Sequence, residues 1–394
     1  MAINENLSRR KFLSGTGALA LAPMALNQLD LPAAMAAAAQ SATIIRRKLG
    51  RTGIEVPIIN MGVMNADNPS VIQESYKMGV RLFDTARGYQ QGRNEEMLGR
   101  VIGNLNIRNQ VYIQTKTAQA LQLNQVPAAE RTKALLEKLD ESLAALKTDY
   151  VDIYLVHAPS PEQVNDPTVK EALSEMKKQK KVRYVGIATH SAQAEILNSA
   201  AKDGFYDTIT VSYNFTMSQD KALFAAIRNA AKEGIGLIAM KTQATGRGNQ
   251  AGPPVNHTAA LKWVLRNEEF TTAIPGYTNF EHMKENFSVA SNLNYSDMEK
   301  RFLSERNLQA LIPFCRQCET CVPTCPKGVD IPTLMRTHMY AAQYGNFVHA
   351  RATLDEIAAN ASLKNCADCA DCGAKCRNYV SIADNIRDLK AMYL

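Results

Sequence analysis

No cysteine occurs before Cys315, no arginine- and lysine-rich patch carries interleaved aromatics, and beyond the N-terminus no stretch is apolar enough to cross a bilayer. The mature chain is therefore expected to have no membrane span. Lysine and arginine outnumber aspartate and glutamate by 45 to 38, a net charge of +7, but they are spread along the chain as a solvated surface, and no nucleic-acid partner is expected. Glycine (21) and proline (15) are too few for a fibrous or low-complexity chain. What remains is 46% hydrophobic and 21% charged, the balance of a soluble globular protein. At 394 residues it exceeds the usual single domain, so a large core with a smaller appendage is expected.

The N-terminus has its own pattern. Ser8-Arg9-Arg10-Lys11-Phe12-Leu13 precedes a mildly apolar stretch to Leu26 and then a run of alanines. Charge, a short apolar stretch and small residues in that order resemble a twin-arginine export signal over residues 1–40, with cleavage after Ala36 or Ala39. The expectation is export of an already folded protein to the periplasm.

All eight cysteines fall in two windows with the same spacing, C-x2-C-x2-C-x3-C: Cys315, Cys318, Cys321, Cys325, and then Cys366, Cys369, Cys372, Cys376. Two-residue spacers let a tight loop turn three thiolates toward one point, while the wider fourth step sends the last sulfur elsewhere, as in bacterial-type ferredoxins. Disulfides are the alternative in an oxidising compartment, but triplets this close would close small strained rings. Zinc is another, though zinc sites more often pair C-x2-C knuckles across a long gap. The spacing favours two 4Fe-4S clusters. By the ferredoxin rule that the fourth cysteine of each run serves the other cluster, Cys315, Cys318, Cys321 and Cys376 form one set and Cys366, Cys369, Cys372 and Cys325 the other.

Between residues 46 and 292 a short apolar run, a loop and a longer amphipathic stretch recur. The runs are 56–60, 80–83, 111–115, 151–156, 183–187, 208–211, 235–239 and 271–274, with helical patterns such as 129–146, 169–179 and 221–233 between them. Eight such units predict an α/β protein: a (β/α)8 TIM barrel over 46–292, followed at 293–394 by a small, mostly helical ferredoxin-like iron-sulfur domain.

Chemistry in that barrel collects at the carboxyl ends of the strands. Asp84 ends the second run, Tyr89 lies in the loop beyond, Lys116 ends the third and His157 the fourth. A phenol has an ordinary pKa near 10, and a neighbouring ammonium lowers it; Lys116 is expected to do this for Tyr89, with Asp84 holding the lysine charged and His157 donating to a carbonyl oxygen. Together the four suit carbonyl reduction.

These residues also resemble a known family, the aldo-keto reductases. The resemblance lies in Gly79-Val80-Arg81-Leu82-Phe83-Asp84-Thr85-Ala86 with Tyr89, Gly92, Glu95 and Leu98-Gly99; in Thr115-Lys116; in Asp152-Ile153-Tyr154-Leu155-Val156-His157; and in Val182-Arg183-Tyr184-Val185-Gly186, Tyr213-Asn214, Ile274-Pro275-Gly276 and Glu285-Asn286. It implies a catalytic tetrad of Tyr89, Lys116, Asp84 and His157, and NAD(P)H as hydride donor to a small-molecule carbonyl. For the cofactor it implies Thr189, Tyr213, Asn214, Met240, Gly246, Gly248, His282, Glu285 and Asn286. Several positions depart from the family pattern: Ala188-Thr189 for Ser-Asn, Thr210 for Gln, Met240 for an aromatic, and His282 for an arginine at the 2'-phosphate. NADP and NAD both stay open, with NADP slightly favoured. The cysteine-rich end, including Cys325-Pro326-Lys327-Gly328-Val329-Asp330-Ile331-Pro332, resembles the subgroup with ferredoxin-type C-termini.

Two functions compete. One is an oxidoreductase interconverting an aldehyde, ketone or sugar and its alcohol, coupled to the clusters and to a redox partner protein. The other is a ferredoxin-like electron carrier on a degenerate barrel scaffold.

Overall fold

The computed structural model describes residues 43–117, 126–244, 255–305, 314–367, 369 and 371–394. The twin-arginine segment, Gly246 and Gly248 lie outside the described residues.

The chain opens with an antiparallel hairpin, β1 (Arg46–Lys48) with β2 (Glu55–Pro57). Eight parallel strands follow: β3 (Met61–Gly62), β4 (Leu82–Asp84), β5 (Tyr112–Lys116), β6 (Val151–His157), β7 (Val182–Thr189), β8 (Thr208–Ser212), β9 (Gly236–Met240) and β10 (Phe270–Ala273). Bridges from Ile59 to Ala273 and from Gly62 to Gly276 join the first of them to the last, closing the sheet into a barrel. The strands are buried along almost their whole length, which is why they read as continuous apolar runs rather than alternating ones.

The first predicted run, 56–60, is divided. Its beginning belongs to the hairpin, where Val56 joins Leu49 and Ile54 against the inward-facing Leu82, Ile153, Leu155, Ala188 and Ile238. Its end turns into the barrel at Asn60, which is fully buried at the closing seam. There the Asn60 amide donates to Pro57 O (2.8 Å) and Thr272 Oγ1 (3.0 Å), and its carbonyl accepts from the backbone of Arg81 and Leu82. One polar side chain thus ties three segments together, through backbone groups of two and the Thr272 hydroxyl of the third.

The intervening helices present apolar stripes to the sheet and start at side-chain caps. Asp166, for example, accepts from the backbone N–H of Thr168 and Val169, with Pro167 in the first turn. The densest basic stretch, 177–181, is taken up by ion pairs: Lys177 with Asp207, Lys178 with Glu175 and Lys181 with Asp140. This leaves little unanswered charge for a polyanion there.

The described C-terminal part is helical, with helices Ile331–His338, Phe347–Leu354 and Ile382–Tyr393. It has its own core of Val329, Ile331, Leu334, Met335, Leu363, Ile382, Ile386 and Leu389. Phe314, Met339, Tyr340, Ala341 and Ala350, however, pack into the barrel's core cluster. Residues Thr43–Leu394 accordingly form one compact unit. A five-residue π-turn, Met339–Gln343, continues the helix Ile331–His338 and carries Tyr340 and Gln343 over the open end of the barrel.

Candidate active site

Asp84 and Lys116 end adjacent strands, β4 and β5, whose pairing brings their side chains together inside the barrel. Lys116 Nζ lies 2.7 and 2.8 Å from the two carboxylate oxygens of Asp84 and donates to Thr85 O at 2.9 Å. Gln114 donates to Asp84 Oδ1 at 2.6 Å and to Thr210 Oγ1 at 3.2 Å. Thr210 therefore works as an acceptor within the barrel. Tyr89 is buried, and Lys116 Nζ sits 5.0 Å from the centre of its ring.

The structure gathers these three residues but reverses the expected effect on the phenol. Burial pushes the Tyr89 pKa well above 10, and the charges of Asp84 and Glu356 push it the same way. The carboxylate clasped by Lys116 screens the ammonium from the ring, so desolvation of phenolate decides the direction. Burial also lowers the Lys116 pKa, against the pull of Asp84 and Glu95. Tyr89 is thus a firmly protonated acid.

His157 is buried at the end of β6, and its Nε2 lies 3.0 Å from Nε2 of His190. Burial and nearby cations hold both imidazoles well below their usual pKa, so they are neutral and share one proton, one ring donating and the other accepting. His190, rather than His157, lines the cavity, and its Nδ1 has no partner among the described residues.

The cavity measures about 340 Å³. Asp84, Tyr89 and His190 border it together with Met240, Lys241 and Thr242 after β9, Ile274 to Thr278 after β10, and His282. Its far side is closed by Tyr340, Gln343 and Tyr344 of the C-terminal part. Behind these, His349 meets Tyr89 edge-on, with ring centres 5.3 Å apart, and lies 4.4 Å from Tyr340. Glu356 and Arg336 form a buried ion pair at 2.8 Å.

The residues expected at the dinucleotide fall into two groups. Met240 and His282 line the cavity, and Asn286 accepts from Gln243, itself a lining residue, at 2.7 Å. Thr189 is buried at the end of β7, bonded to Ser191 O. Tyr213, Asn214 and Glu285 do not border the cavity. Tyr213 stacks on Phe270 at 4.6 Å within the layer between barrel and helices. Asn214 props the exit of β9 through Lys241 O, and Glu285 is half-buried on the helix Phe280–Phe287. Gln243, with Asn286 and His282, marks one end suited to a nucleotide, and the unpartnered His190 Nδ1 and Thr242 Oγ1 are polar groups an amide or hydroxyl would satisfy.

The cysteines converge as crossed sets. Cys325 borders a second cavity, of about 210 Å³, together with Cys366, Cys369 and Cys372. Cys376 lies in the electrostatic reach of Cys315 and Cys321. Asn378, two residues after Cys376, reaches Cys318 Sγ at 3.5 Å, and Gln317 donates to Cys315 Sγ at 3.2 Å. Among the described residues no three ligating side chains are gathered as closely as one metal ion needs. A four-iron cubane, with one thiolate on each corner iron, holds its sulfurs well apart.

His190, Lys241, Tyr340, His349, Arg336 and Glu356 were not singled out from the sequence. The first two lie directly beyond the ends of β7 and β9, so the strand-end rule extends to them. The other four come from a segment with no signal linking it to the barrel.

A closed parallel barrel with an acid, an amine and a carboxylate at its carboxyl end defines a barrel oxidoreductase, and the cysteine sets give it an iron-sulfur appendage. Residues 63–252 match the Aldo/keto reductase family, and residues 314–381 match a 4Fe-4S dicluster domain. The chain therefore carries an aldo/keto reductase domain followed by a 4Fe-4S domain, and it is an NAD(P)-dependent oxidoreductase. It is similar to an L-galactose dehydrogenase of Arabidopsis thaliana, 26% identical over 66% of this chain and 92% of that protein. An NADH-specific methylglyoxal reductase of Escherichia coli is 24% identical over 59% of this chain and 85% of that protein. The holo form of aldo-keto reductase AKR11C1 from Bacillus halodurans superposes with a TM-score of 0.55 at 20% identity, over 67% of this chain and 96% of that one, a likeness of fold.

Proposed function

We propose that the protein reduces a small aldehyde, ketone or sugar carbonyl to the alcohol, and that this chemistry is coupled to two 4Fe-4S clusters. The observation that carries the reading is the buried Tyr89 phenol beside the Lys116–Asp84 pair, with Asp84 and Tyr89 both open to the cavity. NAD(P)H, when bound, supplies hydride to the carbonyl carbon. Tyr89 supplies the proton to the oxygen, and its raised pKa keeps that proton in place at neutral pH. Lys116 and Asp84 hold each other fixed beside the phenol, and Lys116 is placed to return a proton to Tyr89 between turnovers. His190, backed by His157, presents the polar ring that orients the carbonyl oxygen. Alcohol oxidation would need phenolate in the resting site, which burial opposes, so the geometry favours reduction.

Cys315, Cys318, Cys321 and Cys376 would hold one cluster and Cys366, Cys369, Cys372 and Cys325 the other, each supplying one-electron transfer when assembled. Gln343 and Lys241 border both the main cavity and a small void beside Cys315, so the first cysteine set lies against the reductase site. That adjacency supports coupling, with a redox partner protein at the outer set, where Cys372 is exposed. The N-terminal pattern supports twin-arginine export to the periplasm. A cofactor retained in the site and recharged through the clusters suits a compartment poor in free nicotinamide.

Replacing Tyr89 by Phe tests the reading. Turnover of an aldehyde by the anaerobically purified protein is expected to fall about 100-fold or more. An unchanged rate would favour the electron carrier on a barrel scaffold, the reading to which Ala188, Thr210 and Met240 lend weight.

A further inference from the structure

Three basic side chains lie around the reductase site. Lys116 is answered by Asp84 and Arg336 by Glu356. The third, Lys241, follows β9 directly, is half-buried and borders the cavity. Among the described residues its amine has no ion pair and no hydrogen bond, only the face of Tyr340 at 5.3 Å; Cys315 and Glu356 act on it from beyond contact distance, and burial holds its pKa well below the usual value, so an arriving anion would favour its charged form. The next residue, Thr242, also lines the cavity and has a buried hydroxyl without a partner. An amine removed from water without a hydrogen-bonded counter-charge is costly, and the orphaned Thr242 hydroxyl next to it adds to the cost.

We propose that Lys241, with Thr242, anchors a carboxylate on the carbonyl substrate, so that the site takes small oxo acids or aldehydes bearing an acid group. The proposal rests on the reductase reading and adds the charge of the substrate to it. A carboxylate is a group whose two oxygens can accept from an ammonium and a hydroxyl at once. The placement favours substrate over the dinucleotide. Lys241 leans on Tyr340, which contacts His349, which contacts Tyr89, so the amine lies on the side of the catalytic phenol closed by the C-terminal part. Gln243, two residues further on, turns instead to Asn286 at the nucleotide-like end. No bond is made or broken at Lys241. It holds the substrate while hydride reaches the carbonyl carbon and the Tyr89 proton reaches the oxygen.

The test uses the cluster-loaded protein and two probes that differ only in charge, 4-carboxybenzaldehyde and its methyl ester. The parent is expected to prefer the acid by about tenfold or more in kcat/KM, the worth of one charge-assisted hydrogen bond. Lys241→Met should bring the ratio to about one, and Lys241→Arg should restore part of it. Calorimetry with 4-(hydroxymethyl)benzoate, which needs no turnover, should show binding weakened about tenfold by Lys241→Met. Iron content and circular dichroism equal to the parent's show that each variant is folded. If the parent shows no acid preference, or if the preference and the calorimetric affinity survive Lys241→Met, the proposal is overturned. It also falls if the substitution weakens NADPH binding, or shifts a cluster's midpoint potential, while carboxylate binding is untouched. If neither aldehyde is reduced but carboxylate binding still depends on Lys241, the anion site stands and the reductase reading fails.

Discussion

At the scale of single residues, buried charge explains more of this protein than contact does. Lys116 is held by two oxygens of Asp84 at hydrogen-bond distance, and that clasp is why its charge does not acidify Tyr89. Glu356 makes a second case. Paired with Arg336 and buried, its carboxyl is nonetheless pushed up to about 7 by desolvation, which outweighs Arg336 and the Thr353 hydrogen bond. The folded protein therefore holds this proton more tightly than the unfolded chain, whose carboxyl sits near 4.3. Glu356's contribution to stability is full below the unfolded value and is lost as pH rises through about 7. The gap corresponds to at most about 4 kcal/mol. Urea unfolding at pH 5.5 and pH 8 should show a smaller gain on acidification for Glu356→Gln than for the parent. Equal gains would mean that other groups set the dependence.

Among the elements, the packing of β7 against its neighbours has little tolerance. A Cβ on Gly186 would stand 2.3 Å from Thr208 O and 2.8 Å from a methyl of Leu155, inside the contact of β7 with β8 and β6. The expected cost of Gly186→Ala is about 2 kcal/mol or more, read from the denaturation midpoint. The same crowding would displace the strand that leads to Thr189 and His190, so turnover should fall with stability. The hairpin teaches the opposite lesson about elements. Val56 looks like a barrel strand because apolar runs do not reveal whether a neighbour is parallel or antiparallel, and its pairing with Arg47 decided the matter.

For the molecule as a whole, the crossed cysteine sets make a prediction that sequential sets do not. Replacing Cys315 and Cys376 together by Ser should remove about four of eight irons, because both serve one cluster. Replacing Cys315 and Cys325 together should remove about eight, since each then serves a different cluster. Sequential sets would give the reverse result, measured by iron and acid-labile sulfide analysis. Because Tyr340, Gln343 and Tyr344 close the cavity, loss of the first set should also loosen the roof over Tyr89.

The strand runs, the spacing of the cysteines and the succession Asp84, Tyr89, Lys116, His157 were legible in the sequence. Each is a local pattern: a period, a spacer, or a residue just beyond a strand end. Three things were decided by the tertiary structure alone: that Tyr89 keeps its proton, that His190 stands in front of His157, and that His349, Tyr340 and Glu356 join a site on the far side of the chain. The reason is that pKa shifts, cavity walls and ion pairs depend on which groups desolvate one another across long sequence separations. No local spacing encodes that proximity.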